Sequence, residues 1–83
     1  VDFWAAWCGP CQQMAPVLDQ LAAQMTPRLR VAKVDTEANQ ASAARFGIRG
    51  IPTLILFRAG QEVDRLTGGL PADQLQRWVS QHL

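Results

Sequence analysis

Residues 53–57, TLILF, form an unbroken apolar run that directly follows Pro52. The run is too short to be a helix, which takes roughly 10–12 residues, and it lacks polar alternation, so it reads as a strand covered on both faces. Such a strand obliges the rest of the chain to shield two sides of a sheet. With 83 residues, the chain has room for one domain, residues 1–83, with one hydrophobic core.

The shielding elements can be read on either side of that strand. Segment 11–25, CQQMAPVLDQLAAQM, repeats apolar residues at Met14, Val17, Leu18, Leu21, Ala22 and Met25, the stripe of a helix with one buried face. Pro10 suits the helix start, whereas Pro16 lies inside and predicts a kink. Segment 71–83 carries Leu75, Trp78, Val79 and Leu83 on one helical face, and segment 38–47 reads as a short helix ending at Gly47. VDFW (1–4) and LRVAKVD (29–35) are β-prone, and EVDRLTG (62–68) returns from TLILF through Ala59-Gly60 as a hairpin. The order strand, helix, strand, helix, strand, strand, helix predicts an α/β fold. Its mixed sheet would have parallel pairing among the first three strands, an antiparallel edge, and helices on both faces.

Eight Lys and Arg against seven Asp and Glu leave a net charge of +1 without a basic run, which excludes the footprint of a nucleic-acid binder. No apolar stretch approaches the roughly 20 residues of a membrane helix, so no membrane partner is expected. The chemistry concentrates in WCGPC (7–11), which holds the only two cysteines, Cys8 and Cys11. A bridge across so small a loop adds little stability, and two cysteines are not the framework of a small secreted protein. A metal is not expected either, because zinc takes four ligands and His82 is the only histidine.

Cys8 follows the first strand and stands at the start of the first helix. Unpaired backbone N–H groups and the positive end of the helix dipole there favour a thiolate over a thiol. Cys11 lies one turn further in and is expected to be more buried and less acidic. An exposed thiol of low pKa beside a sheltered one suits dithiol–disulfide exchange, with Cys8 attacking and Cys11 resolving the mixed disulfide. Gly9 leaves the sulfur approachable, and Pro10 limits the wandering of the loop.

VDFWAAWCGPC, FGIRGIPTLILF and GQEVDRLTGGL together resemble the thioredoxin family over the whole chain. The resemblance implies a thioredoxin-like fold and a protein-disulfide reductase whose working group is its own Cys8–Cys11 disulfide, with no added cofactor. It implies disulfide-containing proteins and a thioredoxin reductase as partners, and the reducing cytoplasm as the compartment. Asp2 matches the family's buried aspartate, which helps take the proton of the second thiol, and Lys33 matches a position close to it. Pro52 matches the family's cis-proline, with the Ile51 backbone pairing with an extended substrate. Trp7, Gly50, Ile51 and Gly68 would line the apolar surface around Cys8, whereas Trp4, Phe57 and Trp78 read as core.

The chain departs from the family pattern in places. Gln12 stands where a basic residue is common, removing a positive charge near Cys8. Pro71 replaces a polar helix cap, so that Asp73 is expected to serve that helix N-terminus. The family's first strand, first helix and the opening half of the next strand are missing, so the chain reads as N-terminally truncated, with an unpaired sheet edge and self-association through the bared surface as expectations. DTEANQASAARFGIRGIPT (35–53) is closest to the second bacterial type, which bears an N-terminal zinc-binding segment. Two alternatives stand beside the reductase: a disulfide oxidase or isomerase on the same fold, and a non-catalytic interaction fragment.

Overall fold

The computed structural model describes all 83 residues, Val1–Leu83. Strand β1 (Asp2–Trp4) leads through a turn into helix α1 (Gly9–Met25), followed by β2 (Lys33–Asp35), α2 (Gln40–Arg45), β3 (Thr53–Arg58), β4 (Gln61–Thr67) and α3 (Ala72–Ser80). This is the order the sequence predicts, and the strands form one mixed sheet in the spatial order β2-β1-β3-β4.

β1 and β2 pair in parallel, with Asp2 beside Lys33 and Trp4 beside Asp35. β3 runs antiparallel to β1, with Leu54 beside Asp2, which corrects the expected parallel pairing of all three. Helix α1, about 25 Å long at 1.5 Å per residue, carries the chain back along the sheet before β2 begins. The helix between β2 and β3 spans only about 9 Å, so the chain re-enters the sheet at the end it left. β2 is also shorter than residues 29–35. Asp2 aligns with Lys33, and β1 therefore offers almost nothing beside residues 29–32 apart from the bond from Asp2 N–H to the Ala32 carbonyl (2.8 Å).

The main core lies between the sheet and helices α1 and α3, where Met14, Leu18, Leu21, Met25, Leu75 and Val79 close over Leu54. On the opposite face Phe46, at the end of α2, stacks between Phe3 (5.9 Å) and Phe57 (5.6 Å). Helices thus cover both faces, and Thr53–Leu56 are fully buried between them, as an apolar run without alternation requires. Helix α1 continues through Pro16, which is exposed. The Gln12 carbonyl that loses its partner there lies on the solvent side, where water can satisfy it.

Local chemistry sets the element ends. At α2 the N–H of Gly47 donates to Ala44 and that of Ile48 to Ala43, and Gly47 adopts φ +65°: a Schellman ending that uses glycine's freedom in the left-handed region. Ala59 (φ +51°) and Gly60 (φ +79°) make the two-residue turn of the β3–β4 hairpin, a type I′ conformation whose twist matches the strands. At α3 no side chain caps the helix by a hydrogen bond, but Asp73 lies in the first turn, where its charge serves the positive helix end as expected, and its carboxylate also accepts from Arg77 (3.0 Å). Asp64 of β4 anchors the other end of α3: its Oδ2 accepts from Trp78 Nε1 (2.8 Å) and lies 2.9 Å from His82 Nε2. Trp78 is therefore more than core filling. No helix is long and apolar enough to cross a membrane.

Candidate functional site

The turn from β1 to α1 builds the site. The Cys8 N–H donates to the Ala5 carbonyl at 3.1 Å, and Cys8, in extended backbone, caps α1, its Sγ accepting from the Cys11 N–H at 3.2 Å. Pro10 sits in the first helical positions, where a missing donor costs nothing. One turn of helix brings Cys8 and Cys11 together as a disulfide with Cα atoms 5.2 Å apart. Both cysteines are equally buried, at 4% exposure, which corrects the expected contrast of an exposed and a sheltered thiol. Cys8 is shielded because Ala5, Trp4 and Ile51 pack around the pair, and its Sγ lies 3.8 Å from the Ile51 carbonyl oxygen.

That carbonyl belongs to a second loop at the same end of the sheet. The Ile51–Pro52 bond is cis, and Thr53 Oγ1 donates to the Gly50 carbonyl. A Cβ on Gly50 would press to 3.2 Å from the Thr67 methyl. The Gly68 N–H donates to the Pro52 carbonyl at 2.8 Å. Gly50, Ile51, Pro52 and Gly68 are thus gathered beside Cys8. Trp7 stands at the rim, 69% exposed, with its Nε1 donating to Glu37 Oε1 at 2.7 Å. A Cβ on Gly9 would meet nothing inside the protein, so its missing side chain clears space on the outer side of the disulfide.

Asp2 lies on the face of β1 covered by α1, since its sheet neighbour Leu54 belongs to the core beneath that helix. It is 3% exposed, and its Oδ1 has no hydrogen-bond partner. Burial pushes its carboxyl above the ordinary value of 3.8, while the charges of Lys33 and the N-terminal ammonium pull the other way. The structure therefore places Lys33 close to Asp2 electrostatically, although its Nζ also lies 3.5 Å from Asp19.

Two residues of this region escape a reading by motif. Glu37 is an exposed carboxylate that belongs to no motif, yet it holds Trp7, and its own N–H donates to Asp35 Oδ1 at 2.9 Å. Topology holds the signal that could have found it: β1 and β2 are parallel neighbours, so the loops leaving both emerge side by side. Gln12 reads only as a lost charge, yet its Nε2 donates to the Ala6 carbonyl at 2.7 Å.

A bonded cysteine pair at a helix start, facing a cis-proline loop, can exchange electrons with another thiol or disulfide. Comparison with known proteins agrees. The family model described as Thioredoxin matches residues 1–81. "Thioredoxin 1" of Nostoc sp. and "Thioredoxin" of Haemophilus influenzae are each 47% identical over 83 residues, covering all of this chain and 78% of theirs. "Thioredoxin" of Staphylococcus aureus is 45% identical over the same span, 80% of its length. With its sheet, its cysteine pair and its sequence in agreement, this chain belongs to the thioredoxin family of thiol–disulfide oxidoreductases.

Proposed function

We propose that the chain is a protein-disulfide reductase in which Cys8 attacks and Cys11 resolves. The observation that carries this reading is the position of Cys8: it caps α1, with the Cys11 N–H directed at its sulfur and no acidic side chain in the first turn to oppose a negative charge. In the reduced protein the Cys8 thiolate attacks one sulfur of a substrate disulfide, forming a mixed disulfide and expelling the other sulfur as thiolate. Cys11, deprotonated, then attacks the Cys8 sulfur, which restores the Cys8–Cys11 disulfide and releases the second substrate thiolate. Asp2, buried under the same helix with a carboxyl of raised pKa, is the base to which the Cys11 proton passes, and Lys33 moderates its charge.

The surface formed by Trp7, Gly9, Pro10, Gly50, Ile51, Pro52 and Gly68 receives the substrate. An extended segment pairs with the Ile51 backbone and lays its apolar side chains against Trp7. Disulfide-containing proteins are the substrates, a thioredoxin reductase returns the pair to the dithiol, and a reducing cytoplasm keeps it there. Residues 1–83 act as a single domain.

Reduction of insulin by dithiothreitol tests the reading. The protein is expected to accelerate precipitation of the insulin chains, Cys8→Ser to abolish the acceleration, and the equilibrium with glutathione to favour the Cys8–Cys11 disulfide over oxidised glutathione. Acceleration that survives Cys8→Ser would refute the assignment of the attacking thiol. A pair that glutathione readily reduces would point instead to an oxidase or isomerase.

A further inference from the structure

Helix α1 begins Gly9, Pro10, Cys11, Gln12, so its first turn carries no charged side chain. A negative charge on Cys8 there meets no charged side chain of the helix's own first turn, and the backbone dipoles that stabilise it act over a short range and in a favoured direction. Such stabilisation is only as good as the position of the sulfur. What holds that position is therefore part of the chemistry.

Gln12 grips the loop that carries Cys8 at two points. Its backbone N–H donates to the Cys8 carbonyl at 3.1 Å, which is an ordinary helical bond. Its side chain does something the helix does not need: Nε2 reaches back to the Ala6 carbonyl at 2.7 Å. The Cα of Cys8, which bears the sulfur-carrying side chain, lies in the chain between those two carbonyls, and the Cys8 N–H closes the turn onto Ala5. Lengthening or tilting the turn would swing Cys8 away from the Cys11 N–H that its Sγ accepts at 3.2 Å.

We propose that Gln12 is a positioning residue for Cys8: its side-chain amide clamps the Ala6 carbonyl and so keeps the Cys8 sulfur on the first N–H groups of α1. The chain thereby stabilises its attacking thiolate by geometry, without a cation in the first turn of the helix. This rests on the reading of Cys8 as the attacking thiol, but the clamp has consequences that can be measured apart from turnover.

Gln12→Met keeps the length and bulk of the side chain and removes the donor. Gln12 is exposed, so the variant is expected to melt with the parent. In the reduced protein, alkylation of Cys8 by uncharged iodoacetamide is followed across pH. The variant's midpoint is expected about half a pH unit higher, roughly a threefold loss of reactivity below the midpoint, the scale of one modest hydrogen bond. Amide hydrogen exchange at Cys11 is expected to quicken severalfold, with exchange at Leu18 unchanged. A variant that follows the parent in both alkylation and Cys11 exchange overturns the clamp. Quickened exchange with an unmoved midpoint also overturns it, since the bond would then be structural only. A parent in which Cys8 and Cys11 alkylate alike defeats the reductase reading instead, and the exchange measurement still judges the clamp.

Discussion

Replacing Ala59 by glycine should stabilise this protein, although glycine ordinarily weakens a fold. Ala59 sits at φ +51° in the β3–β4 turn, where a Cβ crowds the backbone at a cost of about 1–2 kcal/mol. Glycine removes that cost but adds unfolded-state freedom worth about 0.5–1 kcal/mol against folding. At the middle of these ranges the difference favours Ala59→Gly by about 0.75 kcal/mol. For a domain of this size each kcal/mol moves Tm by about 4–8 °C, so a rise of about 3–6 °C is expected. The neighbouring site supplies the mirror experiment. Gly60 is at φ +79°, and a Cβ there would meet nothing within 4 Å. Gly60→Ala therefore costs conformational energy alone and should lower Tm by a similar amount. Thermal melts of the three proteins, with urea m-values to verify that the compared states are unchanged, decide the matter. A fall in Tm for Ala59→Gly, or a rise for Gly60→Ala, would refute the conformational reasoning.

Three further outcomes follow from the core and the buried acid. Leu75, 1% exposed in the core under α1 and α3, should cost about 3 kcal/mol when cut to alanine; urea titration measures it, and a loss below about 1 kcal/mol would show that the helices collapse onto the gap. Asp2 binds its proton more tightly in the folded than in the unfolded chain, because burial raises its carboxyl above 3.8. Its ionisation therefore withdraws stability as pH rises through the folded value. Asp2→Asn should be more stable than the parent above that range and converge with it as pH falls toward 3.8. In single-turnover kinetics the same variant should release the mixed disulfide more slowly while forming it at the parental rate. A stability difference independent of pH, or equal slowing of both steps, would remove Asp2 from the role of base.

The redox end of the molecule was largely legible in the sequence because its parts are local. WCGPC between a strand and a helical stripe is enough to place Cys8 at a helix start, and Pro52 ahead of TLILF marks the loop that meets it. The direction of β3 was not legible: it depends on whether a connecting helix can cross the sheet, and the residues of α2 fit a crossover and a short return equally well until the helix length is known. The equal burial of Cys8 and Cys11 escaped for a related reason, since Ile51 and Trp4 come to the disulfide from distant parts of the chain. Glu37 and Asp64 look alike on paper as surface carboxylates. One receives the Trp7 indole and the other the Trp78 indole, and only tertiary pairing tells them apart from solvated charge.

Asp64 gives the molecule a division of labour. It pairs with Leu56, whereas the redox loops adjoin the far end of the same hairpin, where Thr53 pairs with Thr67. The last helix is thus moored at one pole while sulfur chemistry proceeds at the other. Substitutions at either pole are therefore expected to leave the other unchanged, because distant sites that share no partner act additively.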